Sequence, residues 1–229
     1  MVRTVLLILL FAISSSFSFI WPESQLLKGL RHEFGQSPEC STEVTKFNEC
    51  VKPHESFIEM FEHEVNNNLE LVYHLEAMKE VLKITRNISS CFGHDVQCKL
   101  SKVVAFFLEA ADFVGSKVYG DAFSCFRDSN IIEIGQSCSE IDEFERGFRE
   151  MPVNYTILYQ KCEEGVLKCA ARRLYPTPSC SIGRLVHLYQ AFHVGMQSVL
   201  LGQQFMNGDP VVLDFDASKY CNNGRNFKH

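Results

Sequence analysis

No Cys-x-x-Cys occurs anywhere in the 229-residue chain, although it carries ten cysteines. That absence, with the wide cysteine spacings, argues against a zinc site. There is no Gly-x-Ser-x-Gly, no phosphate-binding glycine loop and no dinucleotide fingerprint, so the motifs that signal serine hydrolases, nucleotidases and Rossmann oxidoreductases are missing. Basic clusters are also scarce. The chain has 22 Lys and Arg against 28 Asp and Glu, a net charge of −6, and Arg172-Arg173 is its only basic doublet. Nucleic acid and anionic membrane surfaces are therefore excluded as expected partners.

Long apolar runs are absent beyond the N-terminus. Arg3 precedes Val5–Ile13, which is too short to span a bilayer, and small residues follow at Ser16 and Ser18. This is the pattern of a secretory signal, so residues 1–18 are expected to be removed by cleavage near Ser18. Later apolar segments, Val103–Val114 and Leu185–Leu201, are interrupted by Glu, Asp, His or Gln. The mature chain is expected to lack a transmembrane segment, to be soluble and to be extracellular.

What is abundant is cysteine and phenylalanine. Nineteen Phe and a hydrophobic fraction of 46% supply enough apolar surface for one core. Cys40, Cys50, Cys91, Cys98, Cys125, Cys138, Cys162, Cys169, Cys180 and Cys221 all follow the signal. An even number of cysteines in an oxidising compartment implies five disulfides, whose connectivity the spacing does not fix. Cys91–Cys98 and Cys162–Cys169 share a seven-residue interval. In a helix both sulfurs would face one side and pin neighbours; in a loop the two could bond each other. Two sequons, Asn87-Ile-Ser89 and Asn154-Tyr-Thr156, are expected glycosylation sites if exposed, each beside a helix end.

Periodicity points to helices throughout. Residues 19–39 show no sustained period and read as a flexible leader, with the cysteine-rich domain spanning 40–206 and a tail, 207–229, tied back by Cys221. A first helix is expected to start at Ser41-Thr-Glu-Val44, and Pro53 marks a first-turn proline or a kink. Ile58, Phe61, Val65, Leu69, Val72, Leu75, Met78 and Leu82 recur at steps of three and four, broken by Asn66-Asn67-Asn68, which suggests two helices joined by a turn. That segment should end before Asn87, with Ser89–Gly93 as a loop. Lys99–Tyr119 should place Val103, Phe106, Phe107, Ala110, Phe113 and Val114 on one face. A short helical turn should run into Cys125, a helix should cover Ile141–Met151, and another Tyr155–Leu174. The last should run from Ile182 to about Phe205, with Leu185, Leu188, Phe192, Met196, Val199 and Leu200 inward. Gly183, Gly195 and Gly202 in that span could permit close helix packing, and Asn207-Gly208-Asp209-Pro210 should stop it. The expected fold class is all-α: a disulfide-stapled helical bundle in a single domain.

Few side chains are arranged for chemistry. Cys91-Phe-Gly-His94-Asp95-Val-Gln-Cys98 resembles the Cys-x-x-His-Asp-x-Cys core of secreted phospholipases A2. The resemblance implies a His94 general base beside a calcium-binding Asp95. The last interval is one residue too long, however, and no glycine occurs between Gly35 and Gly93 where the family's calcium loop would lie. The alternative is a polar turn between helices. His63 and His74 are eleven residues apart, and His187 and His193 six apart on different helix faces, so neither forms the i, i+4 pair of a zinc helix. No catalytic residue, metal or cofactor is assigned.

Taken together, Cys40 and Cys50 around an amphipathic helix, Phe123-Ser-Cys125-Phe126, Cys138, and Cys162-x6-Cys169 followed by Cys180 and a long terminal helix resemble a nematode family of secreted helical domains of unknown function. The likeness covers residues 40 to 205. It implies an extracellular disulfide-bonded protein and transfers no catalytic residue. Nematode chondroitin-proteoglycan proteins are a related resemblance, but the chain contains no Ser-Gly dipeptide for glycan-chain attachment. The leading expectation is a secreted, non-enzymatic interaction protein whose partner is an unidentified extracellular protein. A carrier of a lipid or other small apolar ligand is the alternative, and a phospholipase-like hydrolase centred on His94 the third.

Overall fold

The structure, a computed structural model, describes residues 38–131, 133, 134, 138 and 168–217. The expected signal peptide, Cys162, Cys221, Asn154 and the segments expected to be helical at 141–151 and 155–167 lie outside the described residues. The chain is helical, with no strand among the described residues: α1 (Pro38–Val51), α2 (Glu55–Asn67), α3 (Leu75–Phe92), α4 (Lys99–Val118), α5 (Phe123–Asp128), α6 (Lys168–Leu174) and α7 (Ile182–Asn207). Two 3₁₀ turns, Lys52–His54 and Leu69–Tyr73, separate α1 from α2 and α2 from α3.

Local signals explain most of the boundaries. α1 starts at Pro38 rather than near Ser41, because a proline loses nothing at a helix's first position. Cys40 consequently lies inside the first turn of α1. Pro53 opens the 3₁₀ turn that redirects the chain into α2. Asn68 ends α2 and caps the Leu69–Tyr73 turn, its Oδ1 accepting from Glu70 N–H at 2.9 Å, as short amide side chains do. The triple asparagine is thus a helix break, as its composition suggested.

α3 runs on through Ser89-Ser90-Cys91 to Phe92, where a loop was expected. Ile88 and Phe92, four residues apart, are both buried against Phe47 and its neighbours. Their burial outweighs the weak helix preference of the serines between them. Gly93, at φ +76°, then ends the helix.

α4 is the central element. Val103, Val104, Ala105, Phe106, Phe107 and Leu108 are buried in succession. Six consecutive residues at 100° steps go right round a helix, so α4 is enclosed rather than buried along a single face as expected. It packs against α3 on one side and α7 on another, with α1 across its first turns. One part of the core gathers Met78, Leu82, Val114, Phe126, Leu188 and Val194. The other gathers Phe47, Val51, Ile58, Ile88, Phe92 and Leu108. α3 and α4 contribute to both.

Two glycines set the helix spacing. A Cβ on Gly115 would run into Leu82 of α3, and one on Gly202 would lie 2.8 Å from the ring of Phe107. Gly202 therefore serves close α4–α7 packing as expected, whereas Gly183 faces open space. The buried side of α7 includes Leu185, Leu188, Ala191 and Val194, while Phe192 is only half-buried. Gly208, at φ +89°, closes α7: its N–H reaches Phe205 O at 3.1 Å and Asp209 N–H reaches Gln204 O at 3.0 Å. Those two bonds make a Schellman motif.

Candidate functional site

The polar loop between α3 and α4 carries His94 and Asp95, and its position follows from three tethers. Cys91, in the last turn of α3, bonds Cys50. Cys98, just before α4, bonds Cys40. The seven-residue pair therefore bonds neither itself nor one shared helix face; each sulfur goes to an opposite end of α1. Ten residues of helix, about 15 Å, separate the two anchors.

Glu43 is the third tether. Its carboxylate accepts from Gln97 N–H at 2.6 Å and Cys98 N–H at 3.0 Å. The first N–H groups of a helix have no partner within it, and Cys98, its sulfur committed to Cys40, provides no side-chain cap for α4. A carboxylate from another helix instead holds the N–H of Cys98, the residue before α4, and of Gln97 preceding it, at the positive end of the α4 dipole. Burial pushes the Glu43 carboxyl up, but hydrogen bonds from Gln97 N–H, the Ser101 hydroxyl and Cys98 N–H, with the nearby Lys102 charge, more than offset this and hold it below the ordinary glutamate value. Within the loop, Val96 is buried and its N–H bonds His94 O at 2.9 Å.

His94 itself points outward. Its side chain is 64% exposed, with Nδ1 3.2 Å from Glu109 Oε1 on α4. Burial pushes the Glu109 carboxyl up; the His94 charge opposes this and Asp214 adds to it. Asp95 is exposed, its Oδ1 3.4 Å from the Gln97 amide nitrogen. The His94 imidazole thus meets the Glu109 carboxylate through Nδ1 on an exposed surface. Among the described residues no three His, Cys, Asp or Glu side chains converge as a metal site.

The other histidines are dispersed. His63 and His74 are exposed, and His187 Nδ1 is 3.9 Å from Asp121 Oδ2. His193 is buried rather than on the surface, stacked on Tyr189 with ring centroids 5.8 Å apart.

Two more disulfides tie the rest of the bundle. Cys125 of α5 bonds Cys180, and Cys138 bonds Cys169 of α6. Eight of the ten cysteines are thus paired. Asn87 is exposed on α3, a turn inside the helix rather than past its end. The tail is held by a residue the sequence did not single out: Phe215 packs edge-on against Phe106 and Phe113, at 6.1 and 5.7 Å between centroids. Val212 is 80% exposed, and Cys221, the residue expected to tie the tail back, lies outside the described residues. No helix of the described residues is long and apolar enough to cross a membrane.

No family model matches the chain, and neither a curated protein nor a solved structure matches it.

Proposed function

We propose that the chain is a secreted, non-enzymatic interaction protein, released by cleavage near Ser18 and glycosylated at Asn87 and Asn154. The observation that carries this reading is the set of four disulfides distributed over α1, α3, α5, α6 and the loops between them. Disulfides persist in oxidising, extracellular settings, and these join helices and loops at largely buried positions, Cys50, Cys98, Cys125, Cys138 and Cys180 among them. The outward placement of His94 and Asp95 supports a non-catalytic role. A carrier role ranks second, because at Gly115 and Gly202, where helices could part for a ligand, Leu82 and Phe107 already fill the space. The likeness to the nematode family of secreted helical domains belongs to the same proposal.

Mass spectrometry of the secreted protein tests it. The denatured, non-reduced mass should equal the chain from Phe19 onward, less ten hydrogens for five disulfides, plus two glycans. The native spectrum should add no ligand to the mass of each copy. A ligand-sized increment under native conditions would replace this reading with the carrier. Calcium-dependent lipid hydrolysis lost on His94→Ala would replace it with the hydrolase.

A further inference from the structure

Residues 168–184, Lys-Cys-Ala-Ala-Arg-Arg-Leu-Tyr-Pro-Thr-Pro-Ser-Cys-Ser-Ile-Gly-Arg, contain four basic side chains and no acidic one in a chain of net charge −6. Their arrangement is specific. α6 turns Ala170 and Leu174 inward, which leaves Lys168, Arg172 and Tyr175, at steps of four and three, on the exposed side. Tyr175 N–H still donates to Ala171 O, so it continues the helical turn. The connection from there to α7 is held fixed. Thr177 N–H bonds Leu174 O, Cys180 N–H bonds Thr177 O, and the Arg184 guanidinium donates to Ser179 O and Asp121 O. Cys180 is also bonded to Cys125. On this rigid support Tyr175 is 69% exposed and Ile182 67% exposed.

α2 presents the opposite chemistry. Ile58 and Phe61 face the core, while Ser56, Glu59, Met60, His63 and Glu64 share the outer side. Met60 is 50% exposed, and α2 contains four glutamates and no Lys or Arg. The large exposed hydrophobic residues among those described are Met60, Tyr175, Ile182 and Val212. Three of these four sit at the centres of the two surfaces, one rimmed by acid and the other by base. Among the described residues, no ion pair involves Lys168, Arg172, Glu59 or Glu64. A lone exposed apolar residue needs no explanation, but charges of opposite sign around two apolar centres do.

We infer that the chain associates with a second copy of itself, head to tail, the Lys168–Ile182 surface of one copy seating on the outer face of α2 in the next. The occupant is a second copy because the complementary surface, in both charge and apolar centre, is on this chain. The preset turn loses little freedom on binding, and the flexible Met60 adapts to Tyr175 and Ile182. Such a contact is heterologous: each copy uses both surfaces once, and the assembly grows as a chain or closes as a ring. It is small, so association is weak and sensitive to salt.

Sedimentation equilibrium of the full secreted protein tests the inference, with the denatured mass as the monomer reference. At about 50 mM salt the weight-average mass should rise with protein concentration, and at about 0.5 M salt it should return toward the monomer. Lys168→Glu with Arg172→Glu gives two acidic surfaces, and Glu59→Lys with Glu64→Lys gives two basic ones. Each double variant alone should stay monomeric, and an equimolar mixture should associate again. Tyr175→Ala with Ile182→Ala should weaken association by about tenfold or more. All these positions are exposed, and unchanged melting curves will show that each variant is folded. A wild-type mass that stays monomeric at every concentration overturns the inference, including the case in which these surfaces serve another acidic protein. Association that survives both charge reversals, or that the mixture fails to restore, also overturns it.

Discussion

Replacing Glu43 should separate the carboxylate's role from that of the disulfides beside it. In Glu43→Ala, Gln97 N–H turns to water because Gln97 is exposed, whereas Cys98 is buried and its N–H loses its acceptor. Removing a helix cap costs about 1–2 kcal/mol, and a stranded buried N–H falls in the same range. For a domain of this size that corresponds to a fall in Tm of roughly 3–6 °C. Glu43→Gln keeps one acceptor oxygen without the charge and should fall between the two. The pH dependence fixes the mechanism. Because the folded carboxyl is held below its ordinary value, its contribution is fully present above the unfolded glutamate pKa of about 4.3 and is lost as pH falls through the lower folded value. Thermal melts by circular dichroism at neutral pH and at about pH 3 should therefore show a gap between wild type and Glu43→Gln that closes in acid. Equal melting of Glu43→Ala and wild type at neutral pH, or a gap unchanged in acid, would refute the cap.

Three further outcomes rest on the packing. Gly202→Ala should destabilise the protein by about 1–3 kcal/mol in urea unfolding, because the crowded Phe107 ring outweighs the roughly 1 kcal/mol gain in helix propensity; a stabilised variant would mean that α4 and α7 are further apart. Phe215→Ala should speed hydrogen exchange and proteolysis in residues 209–217 while leaving α4 protected, since the tail rests on Phe106 and Phe113; unchanged tail protection would show another anchor. Cys125→Ala with Cys180→Ala, opening a loop of sequence separation 55, should cost about 2–4 kcal/mol, measured by urea titration, and no loss would mean that the reduced chain is already constrained there.

The helices were legible where short-range chemistry decides them. The step pattern around Met78 and Leu82, the asparagine break at Asn68 and the Gly208 stop each depend on neighbours within one or two turns. Contacts between distant residues were not legible. Glu43 reads as an ordinary acid in a first helix, and only the fold sets it beside Gln97, 54 residues away. The serines after Ile88 look like loop until Phe92 is seen to be buried. α4 was assigned one apolar face because its many Val and Phe fit a stripe, although they go all the way round. Of the candidate site, the loop's residues were readable and its tethers were not, because two cysteines seven apart allow several pairings. His94 matched a catalytic pattern in sequence, and its neighbour proved to be Glu109 on an open surface.

The most direct test of the account is disulfide mapping of the purified protein by non-reducing peptide mass spectrometry. It should recover Cys40–Cys98, Cys50–Cys91, Cys125–Cys180 and Cys138–Cys169. A peptide joining Cys91 to Cys98, or free thiols at these positions, would contradict both the α1 tethers and the extracellular role built on them.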